Sequence, residues 1–469
     1  MDTRSSHKHI IVVGGGIAGL SAAWEIQQRT GGAIHITVLE ADNRWGGKLL
    51  TQTMPAPDGG QFIIDAGPES FVTRKPAAWR LTRELGLESL AMNPGNEAAG
   101  TYVLDGGHPR SLPLSPGAFV KSDLLSWRGK LRMLAEPFIP AKRDGGDESL
   151  AEFVTRRLGR EALEKFIGPV LGGIYNSNPE TQSILVTSPI MRELEQHGSL
   201  VWGTVQHQRA RRRVPVTADT PPFRFLGFTP GVEALVTTLT DRLQADLRLN
   251  AAVAAVEPAG EGQALVHLVG GETLRADGVI LATPANVAAR LVAALAPEAA
   301  ALLTQIRHVH IGTISLAYPA QAVAHTAPMR GLMIPRREKR RIDAITWTSA
   351  KIPGRAPTGY ALLRIFLGGG MPETVTMSED ELLPVVQEEL ADLLQIRAEP
   401  LDYRLARWPD SYPQADVGHL ARVAEIERLL PAPVYVTGSA YRGVAVPDCI
   451  QQGRETGEKA VAAVDATAA

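Results

Sequence analysis

At 469 residues the chain exceeds one ordinary core, and at about 150 residues per domain it implies two or three lobes able to bury a large cofactor. Hydrophobic residues at 44%, charged residues at 21% and 45 glycines describe a soluble globular protein rich in tight turns and exclude a disordered or fibrous one. The net charge of -2 argues against general nucleic-acid binding. The single cysteine, Cys449, excludes an intramolecular disulfide and any multi-cysteine metal or iron-sulfur site, and suits a reducing cytoplasm.

The polar start of the chain leads straight into a strand, with no apolar segment ahead of a cleavage site, so secretion is not expected. His9 to Val13 reads as a short buried strand, and Gly14-Gly15-Gly16-Ile17-Ala18-Gly19 leads from it into a helix. This strand, turn and helix form the setting that a dinucleotide requires. Gly14 permits the turn, Gly16 lets the backbone approach a pyrophosphate, and Gly19 lets the helix pack closely on the sheet. The helix amino terminus offers free N–H groups to the phosphates. A second strand, Ile34 to Leu39, ends at Glu40, about 20 residues past the last glycine, where a carboxylate accepts hydrogen bonds from a ribose and disfavours a 2'-phosphate. The continuation Glu40-Ala41-Asp42-Asn43-Arg44-Trp45-Gly46-Gly47-Lys48 resembles the second signature of the large flavin family of amine and porphyrinogen oxidases, and so points to FAD over NAD. Its glycines allow close backbone approach to the cofactor, and Arg44 suits its phosphates.

Residues 85–215 read as a mostly helical insert, with helices at Ser149 to Leu158 and Arg160 to Ile167. Residues 216–300 return to the cofactor domain through a helix after Gly231, a strand pair at Leu247 to Val256, a hairpin about Gly270-Gly271, and a buried strand before Pro284. The most apolar window, Gly278 to Leu303, is broken by Pro284, Asn286, Arg290, Pro297 and Glu298, so it cannot span a bilayer. Residues 301–405 alternate strands (Ile311 to Tyr318, Ile342 to Trp347, Tyr360 to Phe366) with a helix at Ser378 to Leu394, as a sheet domain carrying the substrate wall would. Residues 406–469 complete the cofactor domain begun by residues 1–84. There Val434 to Val436 runs into Gly438, and a helix near Pro447 aims its N–H groups at the flavin carbonyl that gains charge on reduction. Cys449 reads as a small buried hydrophobe on that helix. The fold class is thus α/β, with a split Rossmann-like FAD domain, a mixed-sheet substrate domain and a helical insert.

Gly67-Pro68-Glu69-Ser70-Phe71, Ser149-Leu-Ala-Glu-Phe, Gly172-Gly-Ile174-Tyr175, Trp347-Thr-Ser-Ala-Lys351, Trp408, Pro413-Gln414 and Gly418-His419 resemble the bacterial porphyrinogen oxidases nearly end to end. The segment Gly438 to Ile450 is similar to the Gram-positive branch that oxidises coproporphyrinogen III to coproporphyrin III. The resemblance implies a six-electron oxidation in three flavin cycles. A hydride leaves a meso carbon for the flavin each time, and dioxygen reoxidises the cofactor to give hydrogen peroxide. It also implies a cofactor set that adds Gly67, Pro68, Glu69, Ser70, Val253 (facing the adenine), Trp408, Gly438, Val444, Ala445 and Val446 to the glycine turn. Candidate substrate contacts are Arg74, Lys75 and Lys351 for propionates, with Ile174, Tyr175, Leu332 and Phe366 as pocket wall.

No residue is named as an obligatory acid or base, because no Ser-His-Asp set or carboxylate dyad occurs in a promising setting and hydride removal needs mainly orientation. The histidines show no metal-ligand spacing, and no metal is assigned. The basic runs Arg209 to Arg213 and Arg336 to Arg341 suit an anionic partner or lipid and substrate carboxylates respectively, or plain solvation. The resemblance implies a cytoplasmic protein, soluble or loosely membrane-associated, in transient contact with the next haem-pathway enzyme. Protoporphyrinogen IX oxidation, amine oxidation or carotenoid desaturation on the same scaffold, and a non-catalytic FAD-bound tetrapyrrole carrier stay open as alternatives.

Overall fold

The computed structural model describes residues 8–466 except residues 94, 96–99, 114, 212–220, 222–223, 261 and 328. A five-stranded parallel sheet forms the cofactor domain, with His9–Val13 at its centre. His35–Leu39 and Asp246–Arg248 lie to one side of it, and Gly278–Leu281 and Val434–Val436 to the other. These strands are short apolar runs because both faces are covered. On one face Ile10 and Val12 pack with the helix Ile17–Thr30 and the closing helix Val446–Ala466, whose glycines allow near contact. A Cβ on Gly453 would lie 2.2 Å from the Ala18 carbonyl oxygen. On the other face Ile11 and Val13 pack under the three-stranded antiparallel sheet formed by Val253–Gly260, Gln263–Leu268 and Thr273–Ala276.

The second large sheet has seven strands, in the order Asp402–Pro413, His308–Pro319, Tyr360–Leu367, Ala344–Trp347, Met329–Met333, Gly100–Asp105 and His108–Ser111. One face carries Ile314, Leu316, Tyr318 and Leu363 against the helix Glu379–Leu394, which starts with a Ser378–Glu381 capping box. The opposite face is turned to the cofactor domain, where the Thr313 hydroxyl donates to the Ala66 carbonyl at 2.8 Å. A buried ion pair at the same junction, Arg355 to Asp65 at 2.6 Å, also reaches the Phe228 carbonyl and joins three distant segments.

Two expected boundaries move. The insert of residues 85–215 is not helical throughout, since Gly100–Asp105 and His108–Ser111 form a hairpin on the edge of the substrate sheet. Its two-residue turn is Gly106-Gly107, both at positive φ (61° and 77°), as a hairpin of primed type needs. The substrate sheet also runs beyond residue 405, because the strand Asp402–Pro413 pairs along most of its length with His308–Pro319. Trp408 therefore belongs to the substrate sheet. The expected helix Arg160 to Ile167 becomes a helical turn, a π turn at Leu163–Ile167 and a further helix to Tyr175. Pro169 has no N–H to return to the preceding turn, and a Cβ on Gly168 would lie 2.3 Å from the Leu163 carbonyl, so the wider turn accommodates both.

Candidate flavin and substrate site

The glycine turn has the geometry its residues demand. Gly14 has φ 110°, and a Cβ there would lie 2.8 Å from the Ala282 carbonyl oxygen. A Cβ on Gly19 would lie 2.0 Å from the Gly14 carbonyl oxygen. Gly16 is the opposite case, for a Cβ there would meet nothing within 4 Å and would project into open space at the mouth of the helix. The Glu40 carboxylate accepts the N–H of Gly15 at 2.7 Å and of Asp42 at 2.9 Å, which fixes it beside the turn. Gly46 donates to the Gly15 carbonyl at 2.8 Å, so the second signature lies directly on the first. Arg44 donates to the carbonyls of Trp45 and Gly47 and braces this loop.

Lys48 is half-buried within electrostatic reach of Cys449, and burial lowers its pKa from the ordinary lysine range. Among the described residues its ammonium has no hydrogen-bond or ion-pair partner. An unspent, half-buried cation that follows Gly47, itself against the open Gly16 cradle, suits an anionic dinucleotide with an electron-poor ring, so these residues fit FAD. From the far end of the chain comes Gly438 (φ 116°), where a Cβ would lie 3.6 Å from the Ala18 methyl, and Val444 and Ala445 lead half-buried into the helix at Val446. The Gln452 amide organises this closing loop, accepting from the Arg442 N–H and donating to the carbonyls of Gly443 and Asp448. His419 holds the Tyr441 carbonyl at 2.8 Å. Burial pushes the Cys449 thiol up to about 12, which keeps it protonated and inert. Val253 is half-buried at the edge of the antiparallel sheet, packed against the same core as Val13.

Several predicted residues are spent elsewhere. Glu69 is buried and points to the substrate sheet: it accepts from Lys351 at 2.9 Å and from the Thr348 hydroxyl at 2.8 Å, with Arg364 at 3.5 Å. Lys351 is thus a brace for the loop Gly67 to Phe71, not a free cation at a rim. Gly67 has no room for a side chain, since a Cβ would lie 1.9 Å from the Lys48 carbonyl oxygen, and Pro68 and Ser70 flank the anchored Glu69. Lys75 is ion-paired with Asp448 at the start of the closing helix, which leaves Arg74 as the exposed cation of that loop. The Tyr175 hydroxyl donates to the Thr187 carbonyl at 2.6 Å, within electrostatic reach of Asp448 and Arg74. Leu332 is fully buried on the helix-covered side of the sheet and lines no cleft, because Leu332 pairs in register with Ile345, another core residue. The side chain of Ile174 lies outside the described residues.

Between the π turn and the substrate sheet runs an open cleft. Its floor includes Ile311 and Phe366, on the sheet face turned to the cofactor domain, and Phe366 lies 4.5 Å beneath the Arg364 guanidinium. Trp408, in register with Ile311 on the neighbouring strand, extends the same wall. Sequence reasoning missed Thr348, Arg364 and Gln452. Arg364 alone left a signal, as a charge in the otherwise apolar run Tyr360–Leu367.

Residues 17–460 match the family of flavin-containing amine oxidoreductases. The coproporphyrinogen III oxidase of Bacillus subtilis (strain 168) is 33% identical to this chain over 465 residues, covering 95% of this chain and 96% of its own. That of Propionibacterium freudenreichii subsp. freudenreichii is 33% identical over 506 residues, covering 99% and 93%. A crystal structure from Exiguobacterium sp. 255-15 that carries the name protoporphyrinogen oxidase superposes with a TM-score of 0.83 at 28% identity, covering 97% of this chain and 98% of its own. The chain therefore belongs to the FAD-dependent flavin-containing amine oxidoreductases, and within them to the family of the bacterial coproporphyrinogen III oxidases.

Proposed function

We propose that this protein oxidises coproporphyrinogen III to coproporphyrin III with dioxygen as the terminal acceptor. The observation that carries the reading is the full-length match, near one third identity, to enzymes that carry that name. Bound FAD supplies a two-electron hydride acceptor that dioxygen restores with release of hydrogen peroxide. The protein's share is placement. The Gly14 to Gly19 turn and Glu40 would hold the dinucleotide, Lys48 would offer positive charge, and the amino terminus of the Val446 helix would offer N–H groups to negative charge that develops on the bound ring. Ile311, Phe366, Tyr175 and Trp408 supply the wall that keeps a tetrapyrrole against it, and no side chain is required as a base. Mixing the purified flavoprotein with coproporphyrinogen III and with protoporphyrinogen IX tests this. Under argon the flavin should bleach, and in air porphyrin fluorescence should rise with stoichiometric peroxide, with kcat/KM about tenfold higher for the coproporphyrinogen. Binding without bleaching would instead mark a tetrapyrrole carrier.

No helix among the described residues is long and apolar enough to cross a membrane. We also propose that this protein is cytoplasmic and meets anionic bilayers peripherally, through its insert. The helix Trp127–Leu134 is turned inside out: Lys130 is 5% exposed and donates to the carbonyls of Val120 and Ser122, while Trp127, Leu131, Leu134 and the nearby Phe138 are between 63% and 86% exposed. Val201 and Trp202, on the helix that packs beside the turn holding Phe138, are also exposed, and Lys121, Arg128 and Arg143 are exposed cations of the same insert. Of the run Arg209 to Arg213, residues 212 and 213 lie outside the described residues. The protein should float with phosphatidylglycerol vesicles and not with phosphatidylcholine ones, and the double variant Trp127→Ser, Phe138→Ser should lose most of that binding. Equal flotation of variant and wild type would remove the patch from the account.

A further inference from the structure

The basic run Arg336 to Arg341 is one piece of sequence that neither cofactor nor fold absorbs in full. Arg340 pairs with Asp392, and Arg341 with Glu388 and Glu389 at 2.5 and 3.3 Å. Arg337 pairs with Asp105 at 2.8 Å and also donates to the Glu164 carbonyl. Glu338 accepts the N–H groups of Gly106 and Gly107, both at 3.0 Å, and so pins the short turn Arg336–Glu338 to the edge hairpin. Lys339 is exposed and does not line the cleft.

The cleft wall shows the same settlement of charge with one exception. Arg160 donates to Glu164 at 2.7 Å and Glu180 at 3.1 Å. Asp343 accepts the N–H groups of Gly369 and Gly370, both at 2.6 Å. Arg336 lines the cleft beside them, yet among the described residues its guanidinium makes no hydrogen bond and has no carboxylate within ion-pairing distance; Asp343 acts on it only from farther off. An exposed fork of five N–H donors thus projects from a pinned turn on the lining of a cavity whose floor is Ile311 and Phe366.

We propose that Arg336 is the cleft's carboxylate receptor, pairing with a propionate of the tetrapyrrole while the macrocycle lies toward Ile311 and Phe366, and that it thereby favours substrates with more propionates. The proposal rests on the porphyrinogen reading above. Coproporphyrinogen III carries a propionate on each of its four pyrrole rings, so one meets the guanidinium whichever ring is turned to it. Protoporphyrinogen IX carries only two, and a pose that presents a vinyl group leaves Arg336 unpaired.

The test compares wild type, Arg336→Gln and Arg336→Lys holoenzymes on both porphyrinogens. Arg336→Gln should raise KM for coproporphyrinogen III about tenfold with kcat within about twofold, and Arg336→Lys should fall between, because an ammonium keeps the charge without the fork. KM for protoporphyrinogen IX should move by less than about threefold. Flavin content should be unchanged, since no protein contact is lost. An unchanged KM, or an equal rise for both substrates, overturns the role of Arg336 while leaving the reaction standing. A wild type that turns over neither porphyrinogen overturns the reaction and this role with it.

Discussion

Replacing Glu69 by alanine is expected to cost about 3–5 kcal/mol of stability and most of the bound flavin, because it strands two cations in a buried site. Glu69 is shared by Lys351 and Arg364, and Arg364 also donates to the carbonyls of Ala66 and Gly67, so the carboxylate holds the loop that packs on Lys48. Burial alone would raise its pKa, but Lys351, Arg364 and the Thr348 hydroxyl outweigh it and hold the carboxyl at about 2, against an ordinary 4.5. A depressed carboxylate stabilises the fold at pH values above its unfolded pKa, and that contribution is lost as pH falls through its folded one. The window here is therefore pH 4.5 down to about 2, and the contribution lost across it is about 3 kcal/mol. Urea unfolding at pH 7 and at steps through that window measures both effects. A Glu69→Ala midpoint equal to that of the wild type would show that the ion-paired cluster does not anchor the loop.

The second large effect separates the cofactor from the fold. Gly16→Ala and Gly19→Ala are the same chemical change three residues apart, with different expected consequences. At Gly19 the new methyl would lie 2.0 Å from a backbone carbonyl that cannot step aside, so the turn and helix must part and the apo protein itself should be destabilised by about 1–3 kcal/mol. At Gly16 the methyl meets no protein atom within 4 Å, and its backbone is extended (φ -73°), so apo stability should stay within about 0.5 kcal/mol of wild type. It would, however, occupy the space a pyrophosphate needs, and FAD affinity should fall by about 100-fold or more. Flavin titration into both apo variants, beside their urea midpoints, reads the two quantities separately. If Gly16→Ala binds FAD normally, the phosphates do not lie against that residue.

The cofactor half was legible because its constraints are local. A strand, a turn whose backbone forbids side chains, and a carboxylate at the end of the next strand are all written within Lys8 to Lys48. The helices that begin at Ser149 and Ser378 were legible for the same reason, and each opens on a capping box. The substrate half was less so, since its charges are assigned by partners far away in the chain. Lys351 looked available until Glu69 stood 2.9 Å from it, and Lys75 until Asp448 proved to be its ion-pair partner. Leu332 had the right chemistry for a pocket wall, but strand register turned it to the helix side. The edge hairpin carried a readable signal in Asp105-Gly-Gly-His108, lost among helical neighbours.

The packing of the closing helix on the first one sets an order on biosynthesis. The helix Ile17–Thr30 emerges early from the ribosome, yet the surface that covers Ala18 and Ala22 arrives only with Gly453 and Gly457, and the sheet beside it lacks Val434–Val436 until nearly the whole chain is made. Throughout that interval the nucleotide-binding end has an uncovered apolar face and an unpaired strand edge. The nascent chain therefore needs shielding until the last helix has docked.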